Sequence, residues 1–508
     1  MVNTRLRFWD KTTAVRKVLP VATRVSALLT VGLLLALSFS ACVSSDGPSG
    51  TRSGTDGSRK FDLVIANGRV IDPETGLDAV RHIGIEDGAI VALSETGLDI
   101  SDDGLLVDAG QLVVAPGFID LHAHGQDLES NRYQAMDGVT TALELEVGVF
   151  PVDRWYDARA GEGLINYGAS VSHQGARVRA MRSAFASANS DGSFSLGESG
   201  DDTLYRAASD GEMSRLKDFM QQGLRAGGIG FGFGLSYTPG VSHRELLQLF
   251  QVAAAFEVPS FVHLRSTRDF AHGGPLAPFQ EVIANAVSTG AALHIVHMNS
   301  TSGTRAEEAL ALIRGAREHG VDVTTEAYPY TAGASLIESP LFDNWEDRET
   351  SAYRTLQWVN TGERLTPETF TAYRQEGGWV IMHGRSEATN EWIVSQSDVI
   401  VASDGIPFSA GRAHPRGAGT FSRVLGHYVR DRGALSLIDA IRKMTVLPAQ
   451  RLETVVPEMK QKGRIQVGSD ADLTIFDPAT IIDRATYEDP DQYSAGISHV
   501  IVAGTFVV

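Results

Sequence analysis

The chain has 508 residues, 43% of them hydrophobic, and a formal net charge of −18. This length suffices for one large domain and a smaller companion. The acidic balance argues against a nucleic-acid partner, because binding to phosphates requires an excess of Lys and Arg. The single cysteine, Cys42, excludes an internal disulfide and leaves the folded body without a thiolate ligand or nucleophile.

The first 41 residues have the pattern of an export signal. A basic segment up to residue 24 precedes a largely apolar run over residues 25–41, which is short for a membrane-spanning helix. Cys42 follows small residues, where a bacterial lipoprotein signal would be cleaved. We predict a lipoprotein signal peptide over residues 1–41, lipidation at Cys42, and anchoring to a bacterial membrane. Val43, where an Asp would favour the inner membrane, favours the periplasmic side of the outer membrane. An ordinary signal peptide with an incidental cysteine is the alternative.

The Ser/Gly-rich residues 42–60 predict a flexible tether. Residues 61–112 contain short apolar runs around Asn-Gly at 67–68 and Asp-Gly at 87–88, both of which predict hairpin turns. Residues 455–508 have similar runs. We therefore predict one small β-domain, built from both chain ends.

Residues 113–454 alternate short apolar runs with helical stretches, which is the pattern of βα units. His122 and His124 end the first such run, and residues two apart in a strand point to the same side. His263 and His297 end two later runs. Four imidazoles at three strand ends predict a metal site. His294, three residues before His297, faces the other side of its strand and is predicted to be structural.

A carboxylate is the next expected ligand. The stretch from Leu143 to Val147 alternates strictly, so Glu144 and Glu146 share one face. Two carboxylates side by side repel each other unless a cation lies beside them. We favour Glu146 as the ligand, because it lies nearer the strand end, with Glu144 as the alternate.

The string Pro-Gly-Phe-Ile-Asp-Leu-His-Ala-His at 116–124 resembles the first barrel strand of the amidohydrolase superfamily. The resemblance implies a TIM-like (β/α)8 metal-dependent barrel, with a small β-sandwich domain formed by both chain ends. Residues 399–404 resemble the last barrel strand, which implies Asp404 as the general base. A carboxylate there can take a proton from water that the metal activates, and pass it to the leaving amine.

Several further segments resemble the D-aminoacylase branch, the N-acyl-D-amino-acid deacylases. They include residues 235–240, which contain Tyr237, residues 328–333 and the string from 403 to 449. The resemblance implies that the four strand-end histidines bind metal, and that Arg416, with Tyr328 or Tyr330, binds the substrate carboxylate. Arg416 suits that role, because a guanidinium can bind a carboxylate with two hydrogen bonds. Tyr237 and Asn299 are further candidate substrate-binding residues.

The sequence departs from that branch at two positions. The branch has a Cys ligand near the end of the second strand, where this chain offers only Glu144, Glu146 and Val147. It also has a substrate-binding Lys two residues after the histidine matched by His297, where this chain has Asn299. The first departure leaves the number of metal ions open, and the second leaves the substrate open.

The resemblance thus implies a zinc (Zn²⁺) enzyme with one or two ions that hydrolyses amide bonds in N-acyl-D-amino acids. The alternative enzymatic function is hydrolysis of a cyclic amide or a dipeptide by the same superfamily. A tethered solute-binding lipoprotein is the non-enzymatic alternative. It does not account for the strand-end histidines together with Asp404.

Overall fold

The computed structural model describes residues 59–182, 201–266 and 274–508. The predicted signal peptide, Cys42 and the predicted tether up to residue 58 lie outside these described residues. Within them, no helix combines the length and the apolar character that crossing a bilayer requires. Three β-sheets, two of eight strands and one of three, organise this part of the chain.

Strands and helices are numbered in chain order. The strands are β1 (Lys60–Asp72), β2 (Leu77–Glu86), β3 (Ala89–Ser94), β4 (Asp99–Asp108), β5 (Val113–Pro116), β6 (Phe118–Asp120), β7 (Val139–Val149), β8 (Asn166–Ser172), β9 (Phe231–Gly234), β10 (Ser260–His263), β11 (Leu293–Ile295), β12 (Val323–Ala327), β13 (Gly333–Leu336), β14 (Leu356–Trp358), β15 (Trp379–Met382), β16 (Ile400–Val401), β17 (Leu473–Phe476), β18 (Ile497–Val502) and β19 (Thr505–Phe506). The α-helices are α1 (Leu128–Met136), α2 (Val152–Arg159), α3 (His173–Met181), α4 (Asp202–Tyr205), α5 (Asp210–Arg225), α6 (His243–Ala255), α7 (Ala277–Thr289), α8 (Met298–Thr301), α9 (Ala306–Glu318), α10 (Thr350–Tyr353), α11 (Pro367–Glu376), α12 (Glu387–Ser395), α13 (Arg416–Arg423), α14 (Leu437–Met444) and α15 (Val446–Leu452).

Both ends of the chain contribute to one sheet, as the sequence predicts. Its strand order is β19-β18-β17-β5-β1-β2-β3, and β4 also pairs with β1. β1 is long enough to pair with β4 along its first half and with β5 along its second half. Because β5 pairs with both β1 and β17, the sheet extends past the boundary drawn at residue 112.

The two predicted hairpin turns differ in outcome. Asp87 and Gly88 connect β2 to β3 with φ values of 49° and 76°, which suit a tight hairpin turn. Asn67 and Gly68 form no turn and lie inside β1, at a break in its register with β2. A Cβ on Gly68 would lie 2.5 Å from Val114 Cγ2, so the pair forms a bulge where β1 approaches β5 closely.

Strands β6 to β12 and β16 form the predicted barrel. They are parallel throughout, in the order β16-β12-β11-β10-β9-β8-β7-β6. A parallel bridge between Ala123 and Gly405 connects the segments that follow β6 and β16. Apolar side chains of α5, α6, α7 and α9 pack against the strands in one continuous core. Parallel strands bring all their carboxyl ends to one rim, where the predicted site residues lie.

An additional unit separates β12 from β16, and we call residues 333–382 the insert. β13, β15 and β14 form its antiparallel sheet. A separate apolar cluster that includes Phe342, Trp358 and Phe370 holds it together. The insert stands at the carboxyl rim of the barrel, because its residues line the same cavity as the strand-end histidines.

Candidate metal centre and substrate cavity

The predicted metal-binding residues converge at the carboxyl rim of the barrel. His122 and His124 follow β6, Glu146 lies in β7, His263 ends β10, and His297 follows β11. Their nitrogen and oxygen atoms form two groups that share Glu146. Each group lies within 4.8 Å, and the first also contains Asp404, which follows β16. The structure therefore brings together side chains that are separated by up to 282 positions in the sequence.

The Glu146 carboxylate lies between two pairs of imidazoles. Its Oε2 atom is 3.0 Å from His122 Nε2 and 3.1 Å from His124 Nε2. Its Oε1 atom is 2.6 Å from His263 Nδ1 and 2.9 Å from His297 Nε2. One carboxylate oxygen thus faces each pair, which is the arrangement of a carboxylate that can bridge two cations.

Two other carboxylates fix the tautomers of the first pair. His122 Nδ1 lies 2.5 Å from Glu326 Oε1, and His124 Nδ1 lies 2.9 Å from Glu144 Oε2. An ionised carboxylate only accepts hydrogen bonds, so each Nδ1 carries the proton. In the neutral rings that a metal ion requires, each Nε2 atom then carries a free lone pair, and the two atoms lie 3.2 Å apart. Glu144 therefore contacts the far side of His124, whereas Glu146 occupies the predicted ligand position.

These facing lone pairs and carboxylates fit a metal ion. Asp404 Oδ1 is 3.3 Å from His122 Nε2 and 3.5 Å from His124 Nε2. Ligands about 2.0–2.1 Å from a tetrahedral zinc ion are about 3.4 Å apart along each edge, close to these separations. Without a cation, the same electron-rich atoms would repel each other. The donor set of imidazole and carboxylate is one that zinc accepts.

The charges within the cluster depend on one another. Burial alone would lower the pKa of His122, but Glu146, Asp404 and Glu326 together raise it well above its usual value. Burial would likewise raise the pKa of Glu146, but His122 and His263 hold it well below the usual range. A buried cluster that contains this many carboxylates favours a bound cation.

Asp404 is held in its ionised form. Burial opposes this, but the Arg416 guanidinium and His122 lower the pKa of Asp404 well below its usual range. Arg416 Nη2 lies 2.8 Å from Asp404 Oδ1. The backbone at Asp404 has a φ of 53°, and that at His297 a φ of 29°. Non-glycine residues rarely adopt such angles, and they concentrate at functional sites.

A cavity of about 420 Å³ opens onto this cluster. Its metal-side wall includes His124, Glu146, His263, His297 and Asp404. The insert contributes an apolar part of the lining. This part consists of Leu341, Phe342, Trp345, Trp379 and Met382. Such a cavity, which combines an apolar surface with convergent polar groups, suits a small organic ligand.

The predicted substrate-binding residues have different positions. Tyr328 and Tyr237 lie on the cavity wall. Arg416 is buried behind them, with its Cζ atom 4.6 Å from the Tyr328 ring centre. Its Nε, Nη1 and Nη2 atoms have no hydrogen-bond partner among the described residues, so the contact with Asp404 is an ion pair without an aligned hydrogen bond.

Asn299 and Tyr330 support the site from outside the cavity. Asn299 Nδ2 donates to the Tyr328 carbonyl and to Asn390 Oδ1, both at 2.9 Å. The Tyr330 hydroxyl donates to Asp483 Oδ2 at 3.0 Å. Neither side chain is among the residues that line the cavity, so their contact with the substrate stays a prediction.

Two further residues of the site were not predicted from the sequence. Glu326 Oε2 lies 3.0 Å from His294 Nε2, so Glu326 connects the predicted structural histidine to His122. Arg385, which follows the last strand of the insert, lies on the cavity wall. Glu326 could have been found as a polar residue near the end of a strand, but no local pattern marks Arg385.

Comparison with known proteins gives consistent matches. A model of the family described as "Amidohydrolase family" matches residues 105–508. N-acyl-D-glutamate deacylase of Alcaligenes xylosoxydans xylosoxydans is 30% identical over 499 residues, covering 88% of this chain and 94% of that protein.

Two solved structures are also similar. The N-acyl-D-glutamate deacylase of Bordetella bronchiseptica, complexed with zinc and a phosphonate inhibitor, has a TM-score of 0.74 and 29% identity, covering 88% of this chain and 97% of that one. A D-aminoacylase studied for its binuclear metal centre has a TM-score of 0.72 and 25% identity, covering 88% of this chain and 96% of that one.

Proposed function

Because this chain belongs to the amidohydrolase family, we propose that it is a metal-dependent hydrolase that removes the acyl group from N-acyl-D-amino acids. The observation that carries the proposal is the Glu146 carboxylate between two imidazole pairs, with ionised Asp404 beside it and an open cavity in front. The relatives named above act on N-acyl-D-amino acids, according to their names.

We propose Zn²⁺ as the metal, with room for one or two ions. His122, His124, Glu146 and Asp404 would hold one ion, and Glu146, His263 and His297 would hold a second. Bound zinc would supply a Lewis acid that polarises the amide carbonyl and lowers the pKa of water. Glu144 and Glu326 would orient the imidazoles by holding the Nδ1 protons of His124 and His122.

Asp404 is the proposed acid–base residue. Because it is ionised at neutral pH, its carboxylate can accept a proton from the attacking water. Once protonated, it can deliver that proton to the amine that leaves. The ion pair with Arg416 holds the carboxylate in place on the cavity side of the cluster.

Tyr328, Tyr237 and Arg416 are the proposed residues around the reacting end of the substrate. The Tyr237 ring lies 4.8 Å from the His263 ring, and the Tyr328 ring lies 6.5 Å from the His297 ring, centre to centre. Arg416 offers a buried guanidinium without hydrogen-bond partners among the described residues, directly behind Tyr328. A substrate carboxylate that reached Arg416 would accept hydrogen bonds from its guanidinium group.

The experiment is a hydrolysis panel. The purified, zinc-loaded protein is incubated with N-acetyl and N-succinyl amino acids of both hands, and release of free amino acid is measured. We expect turnover of D substrates over their L counterparts. Turnover of L substrates alone, or of cyclic amides and no N-acyl amino acid, would overturn the proposal.

We also propose that the protein is exported and lipid-anchored through Cys42, on the periplasmic side of the outer membrane. Support comes from the sequence alone: the basic segment, the apolar run over residues 25–41 and the position of the only cysteine in the chain. The residues that follow, up to about 60, would then act as a tether between the membrane and the barrel.

A further inference from the structure

Arg385 places a guanidinium group on the wall of the cavity. It is half-buried, and its Nη2 atom donates to Ser300 Oγ at 2.9 Å. Its Nη1 atom donates to the Tyr328 hydroxyl, and its Cζ lies 5.2 Å from the Tyr328 ring centre. Both partners are uncharged hydroxyl groups. Across the described ranges, no carboxylate forms an ion pair with Arg385, so its charge is not neutralised by the protein there.

The other arginine on the wall differs in this respect. Arg265 lies 3.1 Å and 3.2 Å from the two carboxylate oxygens of Glu281, and both side chains are buried. Its charge is therefore balanced within the protein, and it has little remaining capacity to attract an anion. The cavity thus contains one arginine already paired and one, Arg385, available to a negatively charged ligand.

The structure keeps space for this guanidinium beside Tyr328. A Cβ on Gly333 would lie 2.4 Å from Arg385 Nη2 and 3.1 Å from the Tyr328 hydroxyl oxygen. A side chain at residue 333 would therefore displace Arg385 from its position. Because Gly333 begins the insert and Arg385 follows its last strand, the two ends of the insert meet at this point.

Arg385 contacts a residue that borders the metal centre, which is where the carboxylate of an N-acyl amino acid would lie. The α-carboxylate is two bonds from the amide nitrogen, so a cation that binds it must lie just beyond the residues around the scissile bond. Tyr328 is such a residue, with its ring 6.5 Å from that of His297, and Arg385 contacts its hydroxyl group. Asn299, two residues beyond His297, is neutral and turned away, so it cannot supply that charge.

We propose that Arg385 binds the α-carboxylate of the substrate, with the Tyr328 hydroxyl beside it. This inference rests on the proposed function, since it assigns a contact to an N-acyl amino acid. It makes Arg385 a specificity residue that selects a free α-carboxylate, whatever the side chain. The apolar wall of the insert is then left to contact the rest of the substrate.

The test compares an acid with its matching amide. N-acetyl-D-leucine and N-acetyl-D-leucinamide are assayed with the zinc-loaded wild type and with Arg385→Met and Arg385→Lys. For Arg385→Met we expect kcat/KM to fall roughly 100-fold on the acid and less than about 3-fold on the amide. Arg385→Lys should fall between the two, because it keeps the charge but not the planar fork.

Two further variants make the test specific. Gly333→Ala retains Arg385 but displaces it, and should reduce the preference for the acid over the amide. Arg348→Met is the matched control, because Arg348 also belongs to the insert and stacks 5.4 Å from the ring centre of Trp345, but is exposed and not part of the cavity wall. We expect it to keep the wild-type preference.

Each outcome decides a different claim. If Arg385→Met lowers kcat/KM equally on the acid and the amide, or lowers neither, the proposed role of Arg385 is overturned. The proposed function would remain intact. A loss confined to N-acetyl-D-glutamate and N-acetyl-D-aspartate, with N-acetyl-D-leucine unaffected, would also overturn the proposed role, by assigning Arg385 to the side chain. A wild type that hydrolyses no N-acyl amino acid would refute the proposed function, and this inference with it.

Discussion

Glu144 and Glu146 share a face of β7 but have different neighbours. Glu146 contacts four imidazoles, whereas Glu144 contacts only the far nitrogen of His124. The position of Glu146 nearer the strand end favoured it as the ligand from the sequence alone. The partner of Glu144 could not be predicted from the sequence, because the pairing with His124 depends on how β6 and β7 lie side by side in the barrel.

This difference predicts separable effects on metal binding. Glu146→Gln removes a charge shared by both groups of candidate ligands, and we expect loss of bound zinc. Glu144→Gln leaves both groups complete and should weaken zinc affinity by roughly 10–100-fold through the orientation of His124. Elemental analysis after dialysis against graded chelator measures both. If the Glu146→Gln variant still bound stoichiometric zinc, Glu146 would not be a metal ligand.

Arg416 is expected to affect both catalysis and binding. Arg416→Met removes the partner of Asp404, so kcat should fall roughly 100-fold on N-acetyl-D-leucine and its amide alike. If Arg416 also contacts the carboxylate, KM should rise for the acid alone. Steady-state kinetics on both substrates separate the two effects. An unchanged kcat would show that Arg416 is not needed to hold the Asp404 carboxylate in place.

At the level of elements, β9 shows how closely the barrel strands approach one another. Its sequence is Phe-Gly-Phe-Gly, and a Cβ on Gly232 would lie 2.5 Å from both the Glu146 carbonyl oxygen and Ser170 Oγ. The glycine is therefore required by the close approach of β7, which carries Glu146 and lies beyond β8 in the sheet. Its small size explains why β7 and β9 can approach across the barrel interior.

Gly232→Ala should consequently destabilise the fold and disturb the metal centre. Overpacking of this kind typically costs about 1–3 kcal/mol, and here the nearest atoms belong partly to the backbone, which cannot easily move. Urea unfolding measures the change. Gly315→Ala is the control, because Gly315 lies in helix α9 with open space around its Cβ position, and alanine favours a helix by up to about 1 kcal/mol. Similar midpoints for the two variants would contradict the packing argument.

The order of strands was more predictable than their details. Apolar runs that end in polar residues indicated β8 to β12 and β16, because strand length and burial determine that local pattern. The bulge at Asn67 and Gly68 was not predictable, because it depends on contact with β5, more than 40 residues further along the chain. The insert also escaped prediction, since its short strands pair with each other and not with the barrel.

At the level of the whole molecule, the family, the barrel and the amide-hydrolase chemistry were predicted from the sequence and are confirmed by the comparisons. The succession of strand-end histidines carried that prediction, because a parallel barrel brings strand ends together wherever they lie in the chain. Arg385 could not be predicted in the same way. It reaches the cavity through the path of the insert, which no repeated pattern in the sequence records.

The lipid anchor remains a prediction at this scale, and the chain suits a direct test because Cys42 is its only cysteine. Expression of the full chain in a Gram-negative host with labelled palmitate should yield labelled protein in the outer-membrane fraction. Cys42→Ser should remove the label, because no other thiol is available for lipidation. Val43→Asp is the matched variant: it should keep the label and shift the protein to the inner membrane, since it alters only the residue after the anchor. Unlabelled, fully soluble wild-type protein would refute the anchor while leaving the proposed enzyme activity unaffected, because none of the residues of the metal centre or the cavity lies before residue 122.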